Sequence, residues 1–249
     1  MNQPKIFSLG DAALTIEFSN QISIEQSERA LKFAHKIERE KFKGFVEVVP
    51  AYSSVTVFYD LAEVRKNYVN LPTAFAAVKA LVEKLLTEPA ETLADESRLV
   101  KIPVCFDAEF AFDLDSVAAQ NQLTANDVIE IFLSNTYRVF MLGFLPGFAY
   151  MGELDARIAA PRKPAPRLKI PAGSVGIAGR QTGIYSLESP GGWQIIGRTP
   201  VCLFDSTSND LPVYFKPGDA VQFYAIDKAV YENSAREQST IRNSKSEIK

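Results

Sequence analysis

The chain has 249 residues, 47% of them hydrophobic, so it can bury the core of one large domain or of two small ones. Its net charge of −3 and its pI near 5.4 argue against a nucleic-acid-binding protein, because that class usually carries a basic surplus. Two widely separated cysteines, no signal-peptide pattern and no apolar run near the ~20 residues of a membrane-spanning helix predict a cytoplasmic protein with no membrane partner.

The first ninety residues predict a small domain of strands and helices. Four strands are predicted, two within residues 5–18 and one each over 45–50 and 53–59. Two helices are predicted beside them, because Ser23-x-x-Gln26 has the form of a capping box and Pro72 suits a first helical turn. This order predicts a two-layer α+β domain over residues 1–90. His35, the only histidine, falls in the first helix, which argues against a histidine-rich metal site and a Ser-His-Asp triad.

A composition typical of a linker comes next. Residues 88–98, EPAETLADESR, combine acidic residues with a proline and few apolar side chains. A strand is predicted over 99–106 and helical structure over 113–134. The second helical piece is expected to begin near Thr124, because Asp127 then stands at its third helical position.

The pattern changes after Tyr137, where short apolar stretches alternate with glycine and proline. A spacing of roughly eight to twelve residues is typical of a barrel or a sandwich, so a mostly β domain is predicted over residues 98–230. Residues 231–249 are polar, and we expect them to form a frayed tail.

Residues 143–200 concentrate the unusual backbone residues of the chain: ten of its thirteen glycines, seven of its fourteen prolines and its only tryptophan. Glycine and proline fix special backbone angles, and glycine lets main-chain amides approach a ligand or a partner. We therefore expect the functional site here. Five blocks stand out, in the order Gly143–Tyr150, Pro171–Gly179, Gln181–Tyr185, Ser189–Trp193 and Gly197–Pro200.

These five blocks resemble the motif series of the family of the 5-oxoprolinase B subunit, also named allophanate hydrolase subunit 1 or sporulation-kinase inhibitor. The resemblance implies a cyclophilin-like β-barrel after the small two-layer α+β domain predicted above, so the expected fold class is α+β. It also implies a heteromeric hydrolase that opens 5-oxo-L-proline to L-glutamate with ATP hydrolysis, with the C and A subunits of 5-oxoprolinase as partners. This chain has no recognisable ATP motif, so ATP use is expected of the complex, and no metal site is visible in the sequence.

Two other functions remain open at this point. A relative is named as an inhibitor of a sensor histidine kinase, and the family also resembles a carboxyltransferase-like part of urea carboxylase. Gene neighbourhood would discriminate between them, because adjacent genes for the A and C subunits favour oxoprolinase and a biotin carboxylase neighbour favours the carboxyltransferase.

The glycine series Gly173-x-x-Gly176-x-x-Gly179 invites comparison with nucleotide-binding loops. It is neither G-x-G-x-x-G nor a P-loop, and no helix is predicted to begin after it. Turns and bulges of a barrel account for it, and a backbone anion site is the alternative.

Residues 161–171 form a proline-stiffened basic loop that carries Arg162, Lys163, Arg167 and Lys169. A stiff loop loses less entropy when it binds, and guanidinium groups can bind carboxylate or phosphate in bidentate fashion. The alternative is a solvated basic loop.

Polar and aromatic side chains near the densest glycines complete the expected site, and each of them is equally compatible with a core or turn position. Glu188 is the weakest of these candidates. We assign catalytic roles to Arg162, Arg167, Gln181 and Tyr185. We expect Phe148, Tyr150, Ser174 and Trp193 to face the substrate or a partner.

The segment Phe144–Tyr150 is apolar but interrupted by proline and glycine. Exposed, it would be a docking patch for the C subunit; buried, it would be a core loop. The resemblance also implies a histidine in relatives five residues before the tyrosine of the Tyr-x-Val motif, and this chain has Phe132 there.

Overall fold

A computed structural model describes residues 3–88, 97–208 and 212–246. The chain forms two compact units, Met1–Glu96 and Ser97–Lys249. The division falls within the segment predicted as a linker, and residues 89–96 of that segment lie outside the described residues.

The first unit pairs an antiparallel sheet with helices. Its elements are β1 (Lys5–Ser8), β2 (Ala13–Glu17), α1 (Ile24–Arg39), β3 (Phe45–Pro50), β4 (Ser54–Tyr59), α2 (Leu61–Asn67) and α3 (Ala74–Thr87). The strand order is β1-β2-β4-β3. Alternation along β4 buries Val55, Val57 and Tyr59 against the helices, in one apolar cluster with Ile37 of α1.

Local signals place the helix starts of this unit. The Ser23 hydroxyl accepts a hydrogen bond from the backbone N–H of Gln26, as the capping pattern predicted. The helix expected at Pro72 begins at Ala74, and the hydroxyl of Thr73 caps it. Helix α2 was not predicted, because seven residues give too little periodicity to detect.

The second unit consists mainly of short strands. Its elements are β5 (Leu99–Val104), α4 (Leu114–Gln120), α5 (Ala125–Ser134), β6 (Thr136–Leu142), β7 (Ala149–Gly152), a 3₁₀ turn (Ala156–Ile158), β8 (Arg167–Ile170), β9 (Ser174–Ala178), β10 (Gln181–Ile184), β11 (Ser189–Gly191), β12 (Gln194–Arg198), β13 (Ala220–Ala225) and α6 (Lys228–Ser246).

Seven of the described strands form one curved sheet in the order β12-β9-β10-β7-β6-β13-β5. Its two ends meet, because the backbone groups of Cys105, just after β5, and Arg198 of β12 exchange two hydrogen bonds of 2.9 Å. Strands β8 and β11 form a separate pair. The sheet is therefore barrel-like and nearly closed, and the expected fold class, an α+β chain with a β-barrel unit, is confirmed.

Helices α4 and α5 contribute to the core of this unit. The Thr124–Asp127 capping box is present at the start of α5 as predicted. Phe132 of α5 is fully buried, with its ring centre 5.2 Å from that of Tyr137 and 4.8 Å from that of Phe223. Position 132 thus belongs to the core.

The polar end of the chain forms helix α6 through Ser246 rather than the frayed tail that its composition suggested. Tyr231 anchors the helix, because its ring lies 4.4 Å from that of Phe110. Gln238 extends this attachment by accepting a hydrogen bond from the backbone N–H of Cys202.

Candidate functional site

A cleft of about 310 Å³ opens on the barrel unit, among the loops that carry the glycine-rich blocks. Most of its side-chain lining is aromatic. These aromatic residues are Phe144, Phe148, Tyr150, Tyr185 and Trp193. Arg162 and Lys163 of the basic loop complete the polar side. Clefts lined by apolar rings with few polar groups are typical of small-ligand sites.

The wall of the cleft is a set of edge-to-face ring contacts centred on Phe148. Its ring centre lies 4.8 Å from Tyr150, 5.4 Å from Tyr185 and 5.6 Å from Trp193. Phe148 and Tyr185 are 1% exposed and Trp193 is 5% exposed. Such packing fixes ring positions to within the tolerance of a close-packed core, so the wall is preformed.

The close approach of the β11 turn to Tyr185 requires glycine at position 191. A Cβ there would overlap the Tyr185 hydroxyl and come within 2.7 Å of Ile170 Cδ1. Burial raises the pKa of Tyr185, against the opposing effects of a hydrogen bond from the Trp193 backbone and of Arg162 nearby. The phenol is therefore protonated at neutral pH and can donate a hydrogen bond.

The basic loop is fastened to the barrel by one buried carboxylate, Asp113, which is 3% exposed. Arg167 donates to both its oxygens at 2.8 and 2.7 Å, and Lys163 Nζ donates to Oδ1 at 2.8 Å. The backbone N–H of Ile195 donates to Oδ2 at 2.8 Å. Since Ile195 follows Trp193 closely in the chain, Asp113 links the basic loop to the aromatic wall.

The electrostatics of this cluster favour ionised Asp113. Burial alone would raise the pKa of its carboxyl, but the hydrogen bonds from Arg167, Lys163 and the Ile195 backbone outweigh burial and lower the pKa. The carboxylate therefore neutralises part of the positive charge of the loop and holds both cationic side chains in place.

Arg162 differs from the other cations of the loop. Its guanidinium lies 5.9 Å from the ring centre of Trp193. Among the side chains that the structure describes, no carboxylate forms an ion pair with it. The cleft thus presents one uncompensated guanidinium against an aromatic wall.

Phe144 covers the rim of the cleft in an uncommon backbone conformation. Its φ is +70°, and the backbone N–H of Leu145 donates to the carbonyl of Gly143 at 2.9 Å, which closes a γ-turn around Phe144. The side chain is 60% exposed, with its ring centre 5.5 Å from that of Phe148 and 6.3 Å from that of Tyr185. A bulky residue in this region of φ is strained, and such strain concentrates at functional sites.

Comparison with known proteins identifies the family. The model of the carboxyltransferase domain, subdomain C and D, matches residues 4–215. The chain is 46% identical to the 5-oxoprolinase B subunit of Bacillus subtilis (strain 168), over 91% of this chain and 95% of that protein. It is 36% identical to the 5-oxoprolinase B subunit of Escherichia coli O157:H7, over 90% of this chain and 96% of that protein. The chain belongs to the family of the 5-oxoprolinase B subunit.

A solved structure has the same fold as this family member. The crystal structure of TTHA0988 superposes with a TM-score of 0.73 at 33% identity, over 86% of this chain and 40% of that chain. The resemblance that the five motif blocks indicated is confirmed by the family model and the curated relatives.

Three of the residues expected at the site do not line the cleft: Arg167, Gln181 and Ser174. Gln181 begins β10, where it faces Gly152 and Ala178 across the sheet. Ser174 of β9 is 1% exposed; its carbonyl accepts from the Tyr185 N–H and its hydroxyl has no hydrogen-bond partner among the described residues. Neither residue is among those that line the cleft.

The other expected residues are brought together only in part. Arg162, Tyr150, Phe148, Tyr185 and Trp193 line the cleft, whereas Arg167 is directed to Asp113. Phe148 is buried and Phe144 is 60% exposed, and the docking of the C subunit expected of their segment stays a prediction. Glu188 Oε1 lies 3.2 Å from Lys169 Nζ in an exposed ion pair.

The glycine series belongs to the barrel backbone. Gly173 and Gly179 have φ of +83° and +58° at the two ends of β9, and Gly176 lies within that strand. These conformations agree with the interpretation as turns of the sheet and account for the series without a ligand.

Asp113 was missed as a site residue. In the sequence it is the first residue of a predicted helical segment, and its partners lie fifty or more residues away. Only the strand topology brings them together. No local signal could have identified it.

Two kinds of feature are absent from the described residues. No group of three or more His, Cys, Asp or Glu side chains in them could hold a metal ion. No helix in the same residues is long and apolar enough to cross a membrane. Phe132, where the resemblance implied a histidine in relatives of this family, is buried in the core and does not line the cleft.

Proposed function

We propose that this chain is the B subunit of an ATP-dependent 5-oxoprolinase, which opens 5-oxo-L-proline to L-glutamate in the cytoplasm together with the A and C subunits. The observation that carries the proposal is the 46% identity to a protein of that name over nearly the whole of both chains. The aromatic cleft supports it, because the cleft is built from the motif blocks themselves and has the dimensions of a small-ligand site.

The chemistry explains why such a cleft is useful. A lactam resists attack by water because its carbon–nitrogen bond is resonance-stabilised. Transfer of the terminal phosphoryl group of ATP to the lactam oxygen, with ADP leaving, would activate the ring carbon for addition of water. The carbon–nitrogen bond would then break as the nitrogen takes up a proton, and hydrolysis of the resulting acyl phosphate would release phosphate and L-glutamate. The negative charge that develops in these steps would need cationic or N–H donors. We assign charge stabilisation or substrate binding to Arg162 and hydrogen-bond donation to Tyr185, with Phe148, Tyr150 and Trp193 as the wall.

The remaining expected residues take other roles in this proposal. Arg167 acts as a positioning residue through Asp113, since its guanidinium is occupied there. Gln181 and Ser174 have no part in the cleft. We infer that the ATP-binding groups belong to the partner proteins, so the complete site is composite.

Reconstitution tests the proposal. The full chain, purified alone and after mixing with the A and C subunits, is assayed for ATP cleavage with and without 5-oxo-L-proline. The expected result is no turnover by the chain alone and 5-oxoproline-dependent ATP cleavage by the mixture, with L-glutamate as product. Micromolar binding of ATP to the isolated chain in calorimetry, or a mixture without 5-oxoproline-dependent cleavage, would contradict it.

A second candidate function is a carboxyltransferase-like module. It is favoured by the matching family model, which describes a carboxyltransferase domain. Carboxyl transfer would need a carboxylated biotin carrier as donor. Activity of the reconstituted complex that depends on such a carrier, and not on 5-oxo-L-proline, would select this second function.

A further inference from the structure

The cations around the cleft are unequally neutralised. Three of them, Arg162, Lys163 and Arg167, stand on the basic loop, and Asp113 is the carboxylate that pairs with Lys163 and Arg167. Asp113 accepts four hydrogen bonds, three from Lys163 and Arg167 and one from the backbone of Ile195. Its acceptor capacity is therefore fully used, while it neutralises one of the three positive charges. Arg162 is the one of these three cations that has no carboxylate partner among the described side chains.

The surroundings of Arg162 favour an anion with a flat apolar body. On one side its guanidinium lies over the Trp193 ring, and the neighbouring rings of Phe148 and Tyr185 exclude water from the wall. An ion pair gains strength where rings reduce the local dielectric. A volume of about 310 Å³ stands at the lower end of the range for ligand pockets, so the occupant is a small molecule.

The loop is also held ready for binding. Lys163 is adjacent to Arg162 in the chain and is tied to Asp113 at 2.8 Å, and the backbone N–H of Lys163 donates to the carbonyl of Gly192 at 2.7 Å. The backbone of Arg162 is thus fixed from its C-terminal side. Fixing it in advance reduces the entropy lost when a ligand is bound.

We propose that Arg162 binds the carboxylate of the substrate and that the Trp193–Phe148 wall receives its ring, so that Arg162 selects cyclic amides that bear a carboxylate beside the ring nitrogen. This inference rests on the proposed function and identifies how its substrate is recognised. The planar guanidinium fits a carboxylate in bidentate fashion. A lactam without a carboxylate leaves Arg162 unpaired and is discriminated against for that reason.

The decisive test measures KM and kcat of the complex reconstituted with the A and C subunits. The substrates are 5-oxo-L-proline and 2-pyrrolidinone, the same ring without the carboxylate. We expect Arg162→Gln to raise KM for 5-oxo-L-proline by about 10- to 100-fold, the usual effect of losing a charged hydrogen bond. Activity with 2-pyrrolidinone should not change. Arg162→Lys should restore part of the loss, because lysine keeps the charge without the planar fork.

Lys169→Gln is the matched control. It removes the same charge from the same loop, but Lys169 is exposed, pairs with Glu188 and lies outside the cleft. This variant should keep wild-type KM values. A complex that responds to 5-oxo-L-proline with equal KM for wild type and Arg162→Gln would overturn the inference and leave the proposed function intact. A complex that does not respond at all would count against the proposed function itself.

The only tryptophan of the chain provides a second measurement, because Trp193 is part of the wall. Titration of the isolated full chain with 5-oxo-L-proline should change its fluorescence in a saturable way, and 2-pyrrolidinone should have a much smaller effect. Arg162→Gln should lose the response while its circular dichroism spectrum stays that of the wild type. An equal response to both lactams, or none to 5-oxo-L-proline, would show that the carboxylate is not bound by this chain.

Discussion

The single carboxylate of Asp113 holds the candidate site together, and its removal should be measurable as lost stability. Asp113→Asn leaves Lys163 and Arg167 without their anion. Removing one partner of a buried ion pair usually lowers the free energy of unfolding by several kcal/mol. Both cations keep about a quarter of their side-chain exposure, so we expect a loss at the lower end of that range, about 3 kcal/mol. Chemical denaturation measures the change in the free energy of unfolding. Asp115→Asn, an exposed aspartate two residues along, should change it by less than about 0.5 kcal/mol.

This cluster also distinguishes Arg167 from Arg162, although the sequence analysis assigned both the same catalytic role. Arg167 makes two charged hydrogen bonds to a buried carboxylate, so Arg167→Ala should lower the free energy of unfolding by about 1.5–3 kcal/mol. Arg162→Ala should leave it nearly unchanged, because Arg162 has no such partner among the described side chains.

The lowered pKa of Asp113 predicts a specific pH dependence. A carboxylate whose pKa is lower in the folded than in the unfolded chain stabilises the fold above the unfolded value, about 3.9, and this contribution disappears as the pH falls through the folded value. The melting temperature of the wild type should therefore fall more steeply below about pH 4 than that of Asp113→Asn. If the melting temperatures of the two proteins fall in parallel from neutral to acidic pH, this account is refuted. The control variant Asp115→Asn should show the same pH dependence of the melting temperature as the wild type.

Gly191 and Gly192 form a matched pair for testing how tightly the wall is packed. A methyl group at 191 would overlap Tyr185, whereas the nearest atom to one at 192 is 3.6 Å away. Gly191→Ala should destabilise the chain by about 1–3 kcal/mol through overpacking and should disturb Trp193 fluorescence. Gly192→Ala should do neither. Similar effects of the two variants, seen in thermal melts, would mean that the turn has more freedom than its contacts imply.

Among the structural elements, the γ-turn at Phe144 places an aromatic ring over the cleft at a cost in folding stability. Phe144→Gly should relieve the strain of φ +70° and raise the free energy of unfolding by about 1 kcal/mol. It should also lower turnover of the assembled complex, because the ring over the cleft is lost. Leu168→Gly is the control: Leu168 is 86% exposed in β8 with an ordinary φ, and glycine there should destabilise by roughly 0.5–1 kcal/mol. A destabilised Phe144→Gly variant would show that the turn is not strained.

Most elements followed from the sequence because the signals for them are local. Alternation in 53–59 and the cap at Ser23 depend on a few neighbouring residues, and the structure has a strand and a helix there. The residues of the candidate site could be predicted only in part, because the contacts between them depend on the fold and not on local signals. Gln181 and Tyr185 are four residues apart, but an extended strand separates them by about 13 Å, so proximity in sequence did not put Gln181 in the cleft. Asp113 shows the converse, since strand order alone brings it to Arg167.

For the molecule as a whole, we propose that the two units of the chain fold independently of each other. The first unit has its own apolar cluster, which includes Ile16, Ile37 and Val78, and the second has another that includes Ile102, Phe132 and Val175. A chain segment with its own core can fold alone. We therefore expect residues 97–249, expressed without the first unit, to unfold cooperatively in denaturant and to keep the edge-packed environment of Trp193.

The fragment experiment also locates the recognition of the carboxylate. Every residue that lines the cleft belongs to the second unit, as does Asp113. The fragment 97–249 should therefore give the same tryptophan fluorescence response to 5-oxo-L-proline as the full chain, and Arg162→Gln should abolish it there too. The fragment 3–88, which lacks tryptophan, should show cooperative unfolding by circular dichroism alone. A folded 97–249 fragment that has lost the response would assign part of the site to the first unit, and an unfolded fragment would mean that the two units fold as one.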